Sequence, residues 1–249
     1  YVFDYCQNLE YFSQQLPVTE GNLSGSLATR LFNARLELIG ELDKKVSIKQ
    51  AQDGGGQSGE AGATFGAGSS DDEVRRATAE LLRNEVAAMN VNNFVVRPKR
   101  RFVEKYAATE AWSQLDGAAY TELAHEVAGL PTELDAEDEE AKRFDLLILN
   151  LQLAVLRQEA WFTRLRDQVK GIAALLQDKA SIPMIQAELP LILELQTDDW
   201  WQNVTVPILE NARRRLRSLV KLIEKQQRKP IYTDFEDLMG SEREFTLPG

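Results

Sequence analysis

The chain has 249 residues, 43% of them hydrophobic and 27% charged, with a formal net charge of −10. That balance excludes wholesale disorder, and no apolar run approaches the ~18–20 residues that a bilayer crossing needs. The acidity excludes non-specific nucleic-acid binding by the surface as a whole, while one cysteine and one histidine exclude an internal disulfide framework and a zinc centre of ordinary ligand spacing.

The first residues, Tyr-Val-Phe-Asp-Tyr-Cys, carry neither an initiator Met nor a basic signal region, so the chain reads as a fragment of a longer protein. Phe3, Tyr5, Tyr11 and Phe12 make the opening aromatic, and Cys6 among them reads as a small buried hydrophobe suited to a reducing cytosol. Leu27, Leu31, Ala34, Leu38 and Leu42 recur at intervals of three and four, which predicts one helix face over 25–47. Residues 53–70 are rich in Gly and Ser and hold too little apolar surface to offset the entropy of ordering them, so they read as a flexible linker. A phosphate-cradling loop would need a Gly-Lys-Ser/Thr ending, which this stretch lacks. The linker divides the chain into an N-terminal segment, 1–52, and a helical C-terminal domain, 71–249.

Ser70 with Glu73 forms a capping box that starts a helix running to about Met89. Residues 90–96 are β-biased by Val91, Phe94, Val95 and Val96. Arg97, before Pro98, is pushed from the helical region, and Pro98 suits the first turn of a helix through Tyr106. Helices follow over 109–115 and 117–128, the latter stopped by Gly129 and Pro131. The segment 139–158 carries Phe144, Leu147, Leu151, Ala154 and Val155 on one face, and 161–178 carries Leu165, Val169, Ile172, Leu175 and Leu176. Pro190 should kink or divide a helix over 182–195. Pro207 opens a last long helix reaching Gln227, and Ile231, Tyr232 and Thr233 predict a short extended piece. The fold class expected is mainly α, a helical bundle with at most a few short extended segments.

Charge is unevenly spread. Arg97, Lys99, Arg100 and Arg101 put four cations into five positions at a helix start, where the helix dipole already presents positive potential. Arg214, Arg217, Lys221, Lys225 and Arg228 recur at three and four residues, forming a second basic stripe with little interleaved Glu. An acidic run, Glu133 to Asp145, lies between them. Each basic cluster is either an interface for an anionic partner, phosphate backbone or acidic protein, or a face neutralised by the chain's own carboxylates.

Catalytic signatures are missing: there is no Gly-x-Ser-x-Gly, His-Glu-x-x-His or dinucleotide glycine fingerprint. Asp234, Glu236 and Asp237 could hold a hard cation, though a solvated acidic tail beside a basic helix explains them as well. Trp200 and Trp201, flanked by Asp198 and Asp199, read as core or interface residues rather than base-stacking platforms. His125 lacks an identifiable titratable partner and reads as structural.

Four segments together carry a family resemblance: residues 3–12 (FDYCQNLEYF), 93–101 (NFVVRPKRR), 139–145 (EEAKRFD) and 229–237 (KPIYTDFED). The chain resembles the C-terminal region of the restriction (R) subunits of type I restriction enzymes. The resemblance implies that 3–12 lie just past the second helicase lobe and that the remainder is the helical region associated with docking onto the methyltransferase core. It implies the methyltransferase and specificity subunits as partners, contact with double-stranded DNA during translocation, and a cytoplasmic setting without a membrane. The Walker A lysine, the Asp-Glu-x-His box, the second-lobe arginine motif and the nuclease Asp…Glu-x-Lys residues are absent. The parent enzyme would use ATP and Mg²⁺ as an ATP-dependent deoxyribonuclease; this fragment is expected to hold no cofactor, metal site or catalytic residue. Arg97, Lys99, Arg100, Arg101, Arg214, Arg217 and Lys221 are the candidate partner or nucleic-acid contacts. The alternative is a free-standing helical nucleic-acid-binding domain using the same cations. An independent enzyme with a cryptic acidic metal site ranks third.

Overall fold

The computed structural model describes residues 25–52, 70–134 and 138–223. The aromatic opening 3–12, residues 53–69 of the expected linker, Lys225, Arg228 and the segment 229–237 lie outside the described residues.

Among the described residues the fold is all helical, with no strand. The helices are α1 (Leu27–Gln52), α2 (Asp71–Ala87), α3 (Arg100–Ala107), α4 (Gly117–Glu122), α5 (Glu139–Arg157), α6 (Phe162–Gln177), α7 (Pro183–Ala187), α8 (Leu189–Glu194), α9 (Asp198–Gln202) and α10 (Val206–Leu216). Local chemistry sets most of the boundaries. Ser70 caps α2 by accepting from the Glu73 amide at 3.2 Å, and Asp71, Asp72 and Glu73 place negative charge in its first turn. Asp138 caps α5, its Oδ1 accepting from the amides of Glu140 (2.9 Å) and Ala141 (3.2 Å). At the other end of α5, Gln158 adopts the left-handed conformation, φ 55°, that closes helices.

The core has two lobes and a seam. In one lobe Phe32, Leu36 and Ile39 of α1 pack with Leu82 and Val86 of α2, Val103 and Tyr106 of α3, and Leu123 and Val127. In the other, Phe144, Leu147, Ile148 and Leu151 of α5 meet Leu165 and Val169 of α6, Leu191 and Ile192 of α8, Trp201 of α9 and Leu209 of α10. Along the seam, Leu31, Ala34, Leu38 and Leu42 of α1 meet Leu146, Leu149 and Leu153 of α5. The sequence pattern assigned α1 and α5 one apolar face each; both bury two. That is why residues 144–149 are buried without a break, as expected of a helix surrounded by others. Full burial of each such Leu or Phe contributes about 1.5–3 kcal/mol.

Helix α1, from the far side of 53–69, is therefore part of the same packed core as the residues after 70. Polar ties reinforce the seam. Arg157, at the end of α5, donates to Glu37 (3.1 Å) and Glu41 (3.0 Å) of α1. Arg75 of α2 donates to Asp43 of α1 (Nε–Oδ1 3.0 Å) and to the Trp112 carbonyl (2.7 Å).

Several boundaries differ from expectation. Residues 90–96 form consecutive turns rather than an extended piece, because Asn side chains capture backbone amides there: Asn90 Oδ1 accepts from Asn92 (3.0 Å) and Asn93 Oδ1 from Val95 (2.9 Å). Arg97, expected outside helical geometry, opens a 3₁₀ turn, Arg97–Lys99, its amide held by the Asn93 carbonyl at 2.8 Å. The helix expected over 109–115 is a short 3₁₀ turn, Thr109–Trp112. Pro190 does divide 182–195, into α7 and α8. The last helix stops at Leu216 and tightens into a 3₁₀ turn, Val220–Leu222, which brings Leu216, Leu219 and Val220 together into the core against α5 and α6. Its expected remainder, 224–227, lies outside the described residues.

Candidate functional site

The turn 90–96 and the cations after it form the most distinctive surface. Two internal amide captures by Asn90 and Asn93 rigidify the turn. A third contact braces it from outside: Asn90 Nδ2 donates to Glu133 Oε1 at 2.8 Å. Val96 is fully buried and anchors the turn in the α1–α4 lobe. Phe94, two residues earlier, is 85% exposed, and Val95 is 44% exposed.

The four cations of the run meet different fates. Lys99 pairs with Glu126. Arg100, at the start of α3, donates to Glu104 one turn on, at 2.6 Å. The Arg101 guanidinium lies 4.4 Å from the centroid of the Phe102 ring. Arg97 is exposed and has no ion-pair partner among the described residues. Carboxylates that offset this helix start are those of Glu104 and Glu126.

Arg101 also lines a cleft of about 440 Å³ with Phe102, Lys105, Thr121, Glu122, His125 and Glu126. Its far wall is a π-turn, Leu123–Val127, in which the Ala128 amide reaches back to the Leu123 carbonyl at 2.9 Å. Such turns interrupt α-helices where a local demand outweighs ideal bonding. Here the next residue, Gly129, has φ +86°, and a Cβ on it would collide with Thr29 Oγ1 of α1. The wide turn thus lets the chain close against α1. Within the cleft Glu122 accepts from Lys105 (2.7 Å) and from the Tyr106 hydroxyl (2.6 Å). Those two donors hold the Glu122 carboxyl below its ordinary range, and the same bond to Glu122 pushes Lys105 up to about 12. Burial, then Glu122, pushes the Tyr106 hydroxyl up. His125 is exposed on the wall and makes no side-chain hydrogen bond among the described residues. The cleft is a network of compensated charges rather than a nucleophile paired with a base.

The second basic cluster folds partly inward. Arg217 donates to Asp145 of α5 (Nη2–Oδ2 2.9 Å), and so does Arg213 (Nη1–Oδ1 2.7 Å). Arg35 of α1 approaches the same carboxylate at 3.9 Å and Glu85 of α2 at 3.5 Å. Asp145 itself is fully buried. Glu210 accepts from Arg213 (2.8 Å) and Arg214 (2.8 Å). Burial acts to raise the Glu210 carboxyl, but the hydrogen bonds from Arg213 and then Arg214 outweigh it and hold the group below its ordinary value. Arg213 is driven upward in turn: burial opposes its charge, and Glu210 with Asp145 more than offsets that. Lys221 alone of the three expected stripe residues is exposed with no ion-pair partner among the described residues.

Sequence reasoning missed Arg35, Asp145 and Arg213 as a connected set. Only a buried carboxylate's need for partners links them, and that need is visible once Asp145 falls on the inward side of α5. Trp201 is buried as expected, its Nε1 donating to the Leu195 carbonyl at 2.8 Å, with Trp200 packed edge-on against it. No helix among the described residues is long and apolar enough to cross a membrane. Comparison with known proteins returns no matching family, no matching curated protein and no matching solved structure.

Proposed function

We propose that this chain is a non-catalytic assembly module of an ATP-driven DNA translocase of the type I restriction class. It docks the translocase onto a methyltransferase–specificity core in the cytoplasm, and the parent enzyme supplies ATP, Mg²⁺ and nuclease chemistry. The observation that carries the reading is the surface built from residues 93–101, one of the segments on which the family resemblance rests. It is held rigid by Asn90, Asn93 and buried Val96 while it displays Phe94 and Arg97 outward. A preorganised apolar tip beside a cation suits protein docking, because little ordering entropy remains to be lost on binding.

The test is co-elution of the purified chain with the cognate methyltransferase–specificity complex on a sizing column. A stoichiometric complex is expected; separate elution at micromolar concentrations overturns the proposal.

A second reading, a helical nucleic-acid-binding domain, draws on exposed Arg97 and Lys221, which have no ion-pair partner among the described residues. It requires duplex binding that weakens steeply with salt, in proportion to the phosphates contacted. Glu104, Glu126 and Glu133, bonded within or beside the first cluster, disfavour it.

A further inference from the structure

Resting on the docking reading above, we infer that Phe94 is the anchor of the interface. With Val95 and Arg97 it forms a knob that seats in an apolar, acid-rimmed pocket of a folded protein partner.

Three observations carry this. Phe94 has the highest exposure of the large hydrophobic residues among the described residues, 85%, and its neighbour Val95 is 44% exposed, so two adjacent apolar side chains face solvent. Isolated exposed apolar residues are ordinary, but an adjacent aromatic–aliphatic pair on a surface is not. The backbone beneath them is fixed. The Asn93 amide donates to the Asn90 carbonyl (2.9 Å), and the amides of Val96 and Arg97 both donate to the Asn93 carbonyl (3.1 and 2.8 Å). Asn90 is tied in turn to Glu133. Aromatic rings presented with little conformational freedom, beside an Arg, are the residue types that dominate binding hot spots.

Charge selects the partner. Arg97 lies three residues from Phe94 and has no ion-pair partner among the described residues, so it offers a positive charge at the edge of the knob. Of the neighbouring cations, Lys99 pairs with Glu126, Arg100 with Glu104, and Arg101 lies over the Phe102 ring; the carboxylate of Glu133 stands at the base of the turn. A nucleic-acid strand stacking a base on Phe94 would bring its phosphates against those carboxylates. A protein pocket with an acidic rim meets the Arg97 guanidinium without that repulsion.

The experiment measures dissociation constants between the full chain and the cognate methyltransferase–specificity complex, using Phe94→Ala, Arg97→Glu and, as control, Leu193→Ala, another exposed apolar residue. Phe94→Ala should weaken binding about thirtyfold or more, as loss of a hot-spot aromatic does, and Arg97→Glu should slow association. Leu193→Ala should leave affinity unchanged, and the melting temperature of Phe94→Ala should match wild type. Wild-type affinity in Phe94→Ala overturns the anchor while leaving the docking module intact. A lowered melting temperature in that variant overturns it too, because the ring would then be buried by the chain itself. Binding of an oligothymidylate single strand that is lost in Phe94→Ala replaces the protein pocket by base stacking. No affinity in the wild-type chain removes the docking reading and the anchor together.

Discussion

Arg217 donates from Nη2 to Oδ2 of Asp145 at 2.9 Å, across 72 positions of sequence, and the carboxylate that it reaches is fully buried. With Arg213 and Arg35 on the same acid, the cluster joins α10, α5 and α1 at the seam where the two core lobes meet. Of the stripe's described residues, Arg217 turns inward to Asp145 and Arg214 pairs with Glu210, while Lys221 stays exposed with no ion-pair partner among the described residues.

Asp145→Ala should therefore cost about 3–5 kcal/mol, since it strands buried guanidinium groups without their acid. Arg214→Ala should stay within about 0.5 kcal/mol, because its own side chain is 48% exposed and buried Glu210 keeps Arg213 as a partner. Urea denaturation of both variants checks the contrast. Similar stabilities for the two would show that the buried network does not hold the seam.

The inner face of α1 and the α2 cap were legible because they are written locally, whereas the pairing of α1 with α5 through Leu146, Leu149 and Leu153 was not. Leucines at three- and four-residue spacing mark the inner face of α1, and Ser70 with Glu73 marks the start of α2. The Asp145 cluster was not legible: its acid sits at the end of an acidic run, its arginines lie 68 and 72 residues away, and no local pattern distinguishes it from Glu139 or Glu140. The turn 90–96 misled for a different reason. Its valines favour strand, but Asn90 and Asn93 each capture an amide two residues on, and those bonds fix turns instead. Within the candidate site the cations were readable and their partners were not, because Glu126 approaches Lys99 only through the π-turn.

Glu210 gives the fold an acid-sensitive contact. Its folded carboxyl ionises below the ordinary value of 4.5, so the unfolded chain binds that proton more tightly. The stability from Glu210 is complete above 4.5 and is lost as pH falls through the lower folded value. Denaturation midpoints should drop as pH is lowered from about 5 to about 3, and Glu210→Gln should flatten that dependence. An identical slope in the variant would assign the acid sensitivity to other carboxyls.

Gly129→Ala should destabilise by about 1–3 kcal/mol, because a side chain at φ +86° is strained and its Cβ would strike Thr29 Oγ1. Pairing it with Thr29→Ser relieves the Cγ2 contact at 3.6 Å but not the hydroxyl, so little stability should return. Thermal melts of the single and double variants decide it, and full recovery in the double variant would contradict the clash.

Trp112→Phe should cost about 1–3 kcal/mol. Its Nε1 donates to the buried Tyr106 carbonyl at 2.8 Å, and phenylalanine leaves that acceptor unpaired as well as removing ring area. Calorimetry of the variant checks it, and an unchanged melt would mean that water reaches the carbonyl.

Competition tests the docking claim most directly. Adding the chain in increasing excess to an intact type I restriction complex, whose own R subunit would carry the same module, should inhibit DNA-dependent ATP hydrolysis saturably, as the chain occupies the docking site without supplying a motor. Phe94→Ala should shift that inhibition to higher concentration. Undiminished ATP hydrolysis at large excess of the wild-type chain would contradict the account.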